Sequence, residues 1–185
     1  MTTEPYLHDE RLHKRIAANL DQFELRHPPG ATLAGAAVAL VVSASADATA
    51  CLLLTMRSAK LKKHPNQFAL PGGKIDSGES IEQTALRELH EELGIELPQT
   101  SVCGRLDDFA TRSGFRISPV VVWNDSQQEV VPNPDEVASV YRIPLHELLL
   151  PQIPEIITED GGDPIPGKNR PGCLSRAQRG SWCAG

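Results

Sequence analysis

Three carboxylates stand close together at positions 88, 91 and 92. Glu88, Glu91 and Glu92 are spaced i, i+3 and i+4, so on a helix they share one face. Like charges at this spacing repel, and a cation is expected to offset that repulsion. Arg87 can offset one charge at most, whereas hard divalent ions such as Mg²⁺ prefer clustered carboxylate oxygens. Taken alone, three glutamates favour an ordinary solvated helix face, so the surrounding sequence decides between the two interpretations.

The segment that carries these carboxylates has the signals of a helix. Ser80 is the predicted N-cap, and Gln83 three residues later completes a capping box. Gly94 supplies the stop expected just past a helix end. An apolar residue recurs at every fourth position and predicts one buried stripe, which borders the carboxylate face: Ile81, Ala85, Leu89 and Leu93.

The same segment contains a longer pattern of fixed residues. It consists of Gly73, five residues, Glu79, seven residues, Arg87-Glu88, an aliphatic and any residue, Glu91-Glu92, any residue, Gly94 and an aliphatic residue. This pattern resembles the Nudix box at every fixed position. The resemblance implies an α/β fold, a Nudix-type α/β/α sandwich in which helices flank a mixed sheet and the box forms a loop-helix-loop.

The Nudix resemblance also implies a role for each matching side chain. Nudix enzymes cleave the diphosphate of a nucleoside diphosphate linked to another group, and divalent ions neutralise charge and activate water. Arg87 is expected to pair with the carboxylates, and Glu79 to pair with Arg87 or support the metal ligands. Either Glu91 or Glu136 is the general base, although Glu136 also fits an ordinary surface glutamate. The expected Mg²⁺ or Mn²⁺ ligands are Glu88, Glu92 and Glu91.

A second resemblance, upstream of the box, concerns the substrate. The pattern of coenzyme A pyrophosphatases resembles this chain upstream of the box, at segments 53–58, 62–64 and 70–73 and at Gln67. It also resembles the chain downstream, at 111–115 and 119–121. That family usually has Arg, Gly and Phe where this chain has Lys62, Asn66 and Leu70. Lysine keeps the charge without the bidentate fork, and Asn tolerates a left-handed turn. Two alternatives remain, namely that the lysine-rich loop is merely solvated and that Phe115 is a packing residue. The resemblance implies the following substrate-binding residues: Arg57, Lys62, Lys63, Gln67, Gly72, Gly73 and Phe115.

Together the two resemblances imply a reaction. It is the divalent-metal-dependent hydrolysis of coenzyme A or acyl-CoA to adenosine 3′,5′-bisphosphate and 4′-phosphopantetheine or its acyl derivative. The alternative enzyme would act on ADP-ribose, a nucleotide sugar or NADH. An alternative of another class is a catalytically silent Nudix-fold module that senses a nucleotide, but the intact carboxylates favour an enzyme.

Hydrophobic patterning predicts the elements that position these residues. Apolar runs predict strands at 33–44, 50–57, 101–111, 114–123 and 137–143, an N-terminal helix within 8–23 and a short helix at 144–149. Segment 58–72 is expected to be a loop. The chain then divides into an N-terminal helix and linker (1–32), one Nudix domain (33–150) and an irregular Pro- and Gly-rich tail (151–185). Coenzyme A pyrophosphatases normally end in a strand and a helix, and divergence, truncation or an altered reading frame would each explain this tail.

Composition excludes other classes of protein. The 185 residues are 40% apolar and 23% charged with a net charge of −6, which argues against a broad nucleic-acid-binding surface. No apolar run approaches a membrane span, and the polar N-terminus does not resemble a signal peptide. We expect a cytoplasmic protein with a small-molecule substrate, as a monomer or a homodimer. Its cysteines lack metal-ligand spacing and are predicted to be reduced: Cys51, Cys103, Cys173 and Cys183.

Overall fold

In the computed structural model, one mixed sheet lies between two helices. The structure describes residues 5–27, 33–111, 113–126 and 128–150, and two short paired strands, β9 (Ile156–Ile157) and β10 (Ile165–Pro166). The helices are α1 (Glu10–Asp21) and α2 (Ile81–Leu93). The main sheet contains β1 (Ala34–Ala44), β2 (Ala50–Arg57), β3 (Phe68–Ala69), β4 (Gly72–Lys74), β5 (Val102–Arg105), β6 (Phe109–Ala110), β7 (Phe115–Trp123) and β8 (Val137–Pro144).

Strand β1 is the centre of the sheet. It pairs in parallel with β7 and antiparallel with β2 and β4. The sheet continues from β2 to β3 and β8 on one side, and from β7 to β5 and β6 on the other. The long apolar sequence of β1 suits a strand that is covered on both faces. Through β4, this central strand also holds the two glycines that precede the carboxylate helix.

Each face of the sheet has its own apolar core. The α2 face contains the predicted stripe of the helix, of which Ala85, Leu89 and Leu93 are fully buried. Each fully buried leucine stabilises the fold by roughly 2 kcal/mol relative to an exposed one. On the opposite face Leu12 of α1 packs in a cluster with Val42 and Trp123. These two layers on either side of the sheet confirm the α/β/α sandwich.

Four predicted elements differ from those observed. The strand predicted at 101–111 is two short strands, because Asp107 accepts the Arg26 amide (2.7 Å) and Asp108 pairs with the His27 ring (2.7 Å) between them. The loop expected at 58–72 contains β3 and the start of β4, which pair with β2 and β1. The predicted 144–149 helix is a single 3₁₀ turn at Glu147–Leu149, and α1 is shorter than the 8–23 segment.

Other predictions concern the cysteines, the membrane and the tail. Cys51 is buried in β2, and Cys51 and Cys103 are free thiols, as the sequence predicts. Within the described residues, no helix is long and apolar enough to cross a membrane. Cys173, Cys183 and most of the 151–185 tail lie outside the described residues.

Candidate functional site

Helix α2 begins and ends where the sequence predicts. The Ser80 hydroxyl accepts the Gln83 amide (3.1 Å), and the Gln83 side chain accepts the Ser80 amide (2.8 Å). At the other end Gly94 adopts a left-handed conformation with φ of 68°, which glycine reaches without steric cost. Residues at each end of α2 therefore fix where the helix begins and ends, and this fixes the position of its carboxylates along the helix.

The three carboxylates share one face of α2 but lie at different depths. The residue Glu92 is only 3% exposed, whereas the side chains of Glu88 and Glu91 are 14% and 52% exposed. The Gly72 amide lies 3.5 Å from Glu92 Oε1 and donates to it. A Cβ atom on Gly73 would overlap the Glu88 carboxylate. Gly73 therefore leaves the space in which the Glu88 carboxylate lies, and Gly72 donates its amide to Glu92.

Burial disfavours the ionised forms of the Glu88 and Glu92 carboxylates. The pKa of Glu92 is raised to about 7, chiefly by burial and also by the charges of Glu88 and Glu136, while the Gly72 hydrogen bond opposes the shift. Burial also raises the pKa of Glu88, although Arg87 opposes the shift. A group of buried negative charges needs a cation in order to stay ionised at neutral pH.

Arg87 is the hydrogen-bonding centre of the box. Its Nε and Nη2 donate to Glu79 at 2.8 and 3.2 Å, and its Nη1 donates to Glu88 at 2.9 Å and Glu91 at 3.0 Å. This pairing lowers the pKa of Glu79 to about 2 and raises the pKa of Arg87. Sequence reasoning missed Thr84, whose hydroxyl also donates to Glu79 (2.8 Å). The pairing of Arg87 with Glu79 and the carboxylates agrees with expectation.

A divalent ion fits the donor set, given a rearrangement of side chains. Among the described residues, no three His, Cys, Asp or Glu side chains converge as a ready-made metal-binding group. The Glu88 and Glu91 carboxylates both accept hydrogen bonds from Arg87 Nη1. Glu88 and Glu92 nevertheless present hard oxygen donors beside a backbone that no side chain covers, which is the chemistry that Mg²⁺ and Mn²⁺ prefer.

Two residues from other elements reach the same cluster. Glu136 is half-buried before β8, and its charge raises the pKa of both Glu88 and Glu92. Arg57, at the end of β2, lowers the pKa of Glu92, and its buried Nε has no hydrogen-bond partner in the described part of the protein. The Ser58 amide donates to the Glu136 carbonyl (2.8 Å) and joins the two segments. The structure thus brings Glu136 and Arg57 to the carboxylates of α2.

The remaining predicted substrate residues lie further out. Lys62 and Lys63 are exposed in the loop that follows β2, and no ion pair between described residues joins either one to the carboxylates. Gln67 is exposed and hydrogen-bonded to the His64 ring (3.1 Å). Asn66 has φ of 56°, the left-handed conformation expected of it. Phe115 is half-buried, and the Lys74 ammonium lies 5.6 Å from its ring centroid.

Comparison with known proteins places the chain in a family. The family model described as the NUDIX domain matches residues 33–159. The chain belongs to the Nudix family. It is 39% identical over 133 residues to the uncharacterized Nudix hydrolase NudL of Citrobacter koseri, which covers 70% of this chain and 69% of that protein. The NudL of Pectobacterium atrosepticum is 44% identical over 110 residues, 59% of this chain and 57% of the relative. The match to the Pectobacterium protein thus spans less than two thirds of that relative's length.

Solved structures show the same fold. The MutT/nudix family protein from Enterococcus faecalis superposes with a TM-score of 0.52 at 21% identity, over 70% of this chain and 49% of that one. A bifunctional NMN adenylyltransferase/ADP ribose pyrophosphatase from Francisella tularensis, complexed with AMP and a Mn ion, gives a TM-score of 0.50 at 23% identity, over 73% and 38%. At these identities the likeness concerns the fold of the Nudix domain.

Proposed function

We propose that this Nudix protein hydrolyses the diphosphate bond of coenzyme A or an acyl-CoA with the help of a divalent metal ion. The products are adenosine 3′,5′-bisphosphate and 4′-phosphopantetheine or its acyl derivative. The proposal rests on one cluster of charged side chains beside the glycines of β4. Its members are Glu88, Glu92, Glu136 and Arg57. Hydrolysis of a diphosphate needs cations that neutralise its charge and a base that activates water. This cluster supplies carboxylate ligands for the cations and candidate residues for the base.

Each residue of the cluster has a task in the proposed reaction. Mg²⁺ or Mn²⁺, held by Glu88 and Glu92 with Glu91, would polarise the phosphate and make bound water acidic. Arg57 presents an unsatisfied guanidinium N–H, which suits a charge-assisted hydrogen bond to a phosphate oxygen. Arg87 holds Glu88 and Glu91 in position. Gly72 and Gly73 let the backbone approach the phosphates closely.

Between the two candidate bases, the contacts favour Glu136. The Glu91 carboxylate already accepts a hydrogen bond from Arg87 Nη1 at 3.0 Å, so Arg87 competes with water for it. No hydrogen bond or ion pair between described residues engages the Glu136 carboxylate, which lies in the field of Glu88 and Glu92. We therefore assign the proton-accepting role to Glu136 and the metal-supporting role to Glu91.

The choice of coenzyme A rests on residues outside the box. Arg57 ends β2, and the loop that carries Lys62 and Lys63 starts immediately after it. The backbones of Arg57 and Gln67 are joined by a hydrogen bond of 2.9 Å, so the loop returns to the same strand end. The two exposed lysines of this loop add local positive charge to an acidic protein, which favours a substrate with several phosphates.

The deciding experiment measures Mg²⁺- and Mn²⁺-dependent hydrolysis of coenzyme A beside ADP-ribose and NADH, with chromatographic separation of products. We expect adenosine 3′,5′-bisphosphate from coenzyme A as the preferred reaction. Glu88→Gln and Glu92→Gln should each lower turnover by orders of magnitude, whereas the exposed Glu10→Gln should not. Preference for ADP-ribose or NADH would overturn the coenzyme A assignment. Ligand binding without any turnover by well-folded protein would indicate a nucleotide-sensing module instead.

A further inference from the structure

Three apolar side chains of β6 and β7 share one face of the sheet. Phe109 is directly opposite Ile117 in the antiparallel pairing of these strands, so their side chains point the same way. Phe115 lies two residues before Ile117 on β7 and therefore faces the same side. Phe109 is 57% exposed. This end of the sheet thus presents an aromatic surface to solvent.

A cation lies on the same face. Lys74 and Ile117 both pair with Ala36 of β1, which places their side chains on one side of the sheet. The Lys74 ammonium is 5.6 Å from the Phe115 ring centroid, within the range of a cation–π contact. Beside Phe115, strand β1 contributes the small side chains of Ala34 and Ala36 to this face.

Strand β4 separates the aromatic surface from the carboxylate site and contacts both. The carbonyl of Lys74 accepts a hydrogen bond from Arg87 Nη2 at 3.2 Å. One residue earlier, Gly73 lies against the Glu88 carboxylate on the opposite face of the sheet. Strand β4 therefore has the Glu88 carboxylate on one face and the aromatic surface on the other.

We propose that Phe109, Phe115 and Lys74 form the subsite for the purine nucleoside half of the substrate. The exposed ring of Phe109 offers a stacking surface for the base, which aromatic side chains bind through the π-face. The Lys74 ammonium would donate a charge-assisted hydrogen bond to a phosphate group on the ribose of the same half. The inference rests on the proposed function in that the ligand is the adenosine half of the diphosphate substrate. A purely apolar partner would gain nothing from the lysine, whereas an adenosine phosphate is complementary to both features.

Binding of adenosine 3′,5′-bisphosphate with Mg²⁺, measured by isothermal titration calorimetry, tests the subsite without requiring turnover. Phe109→Leu should weaken binding about tenfold or more, the amount typical of one lost stacked base. Phe109→Tyr should retain binding because it keeps the aromatic face. Lys74→Met should weaken binding of the bisphosphate several-fold. Phe23→Leu, the same change at another exposed phenylalanine, is the matched control and should bind like the wild type.

Inorganic pyrophosphate with Mg²⁺ serves as the probe that lacks a base. Its affinity should be equal in the wild type and Phe109→Leu, because only the nucleoside contact is lost. If the wild type hydrolyses coenzyme A while Phe109→Leu keeps its affinity and KM, the subsite is wrong and the proposed function stands. If the wild type lacks that hydrolysis but its bisphosphate affinity depends on Phe109, the function fails and the subsite stands. A change of oligomeric mass in Phe109→Leu with unchanged affinity would make the surface an interface between copies and overturn the proposal.

Discussion

Gly73 and Glu88 lie so close together that a Cβ atom at position 73 would overlap the Glu88 carboxylate. Gly73 is held in β4 by its pairing with Ala37 of β1, and Glu88 is held by α2 and by Arg87. Neither backbone is free to retreat, since one belongs to the sheet and the other to a capped helix. The glycine therefore acts by leaving room for a carboxylate, as well as by exposing backbone to phosphate.

Gly73→Ala should remove this room while leaving the fold in place. The overlapping atoms belong to the end of a flexible side chain, so we expect Glu88 to swing aside and the free energy of unfolding to fall little. Displacing a metal ligand by about 1 Å can cost a hundredfold in rate. Thermal denaturation with and without Mn²⁺ should show that the variant loses most of the metal-induced stabilisation.

Gly78→Ala, in the turn between β4 and α2, is the matched control. A Cβ atom there would meet nothing within 4 Å, but Gly78 has φ of 89°, a conformation that costs an alanine about 1 kcal/mol. This variant should lose stability and keep its response to Mn²⁺. Equal metal responses in the two variants would contradict the steric role of Gly73.

Arg87→Lys should damage the site although the charge is kept. A lysine cannot reproduce the planar fork that serves Glu79, Glu88 and Glu91 together. We expect kcat to fall about a hundredfold, as is typical when a catalytic group loses its alignment. Steady-state kinetics with saturating Mg²⁺ measures the effect.

The control for Arg87 is an ion pair with no role in the site. Lys14 and Glu10 form an exposed i, i+4 pair at 2.7 Å on α1, and such pairs contribute little to stability. Lys14→Ala should keep wild-type activity. Wild-type kcat in Arg87→Lys would show that the carboxylates are positioned without the guanidinium.

The elements predicted well from the sequence are those with local signals. The cap at Ser80, the stop at Gly94 and the four-residue stripe place α2 without any knowledge of the sheet. Strands β1, β2 and β7 are long apolar runs, and their observed bounds differ from the predicted ones by at most one residue at each end. The depth order of Glu92 below Glu88 and Glu91 follows from their distance to that stripe.

The features not predicted depend on contacts between distant parts of the chain. Gly72 and Gly73 favour a turn by their type, and only pairing with β1 makes them a strand. Strand 101–111 breaks because Asp108 bonds to His27, a residue 81 positions earlier. The approach of Glu136 to α2 likewise has no local signature, because an ordinary surface glutamate could stand before a strand in the same local sequence. Lys74 has none either, because the sheet register alone places it beside Phe115.

Glu136→Gln should lower kcat more than Glu91→Gln. Glutamine keeps the size of the side chain and removes its capacity to accept a proton. Removal of a general base typically costs about 10²–10⁴-fold in rate, and we expect this loss at Glu136 because the Glu91 carboxylate is already paired with Arg87. A larger loss of kcat in Glu91→Gln than in Glu136→Gln would reverse the assignment.

Two histidines enclose Trp123 on the face of the sheet that α1 covers. The rings of His8 and His13 stack on the indole with centroid distances of 3.9 and 4.6 Å and interplanar angles of 10° and 5°. Burial lowers the pKa of His8 below the model-peptide value of 6.5, although the Val42 backbone and the charge of Asp125 oppose the shift. Protonation of His8 therefore acts against the packing of the N-terminal segment.

The stability of the protein should consequently fall as the pH drops below about 6.5. In that range the unfolded His8, with its pKa of 6.5, takes up a proton that the folded residue resists, so protons favour unfolding. Well above pH 6.5 His8 is neutral in both states and the effect disappears. Urea unfolding at pH 7.5 and 5.5, followed by tryptophan fluorescence, should show a smaller loss of stability for His8→Gln than for the wild type. His64→Gln, in the exposed loop after β2, should keep the wild-type pH dependence. Parallel pH dependences in His8→Gln and the wild type would show that other groups control acid stability.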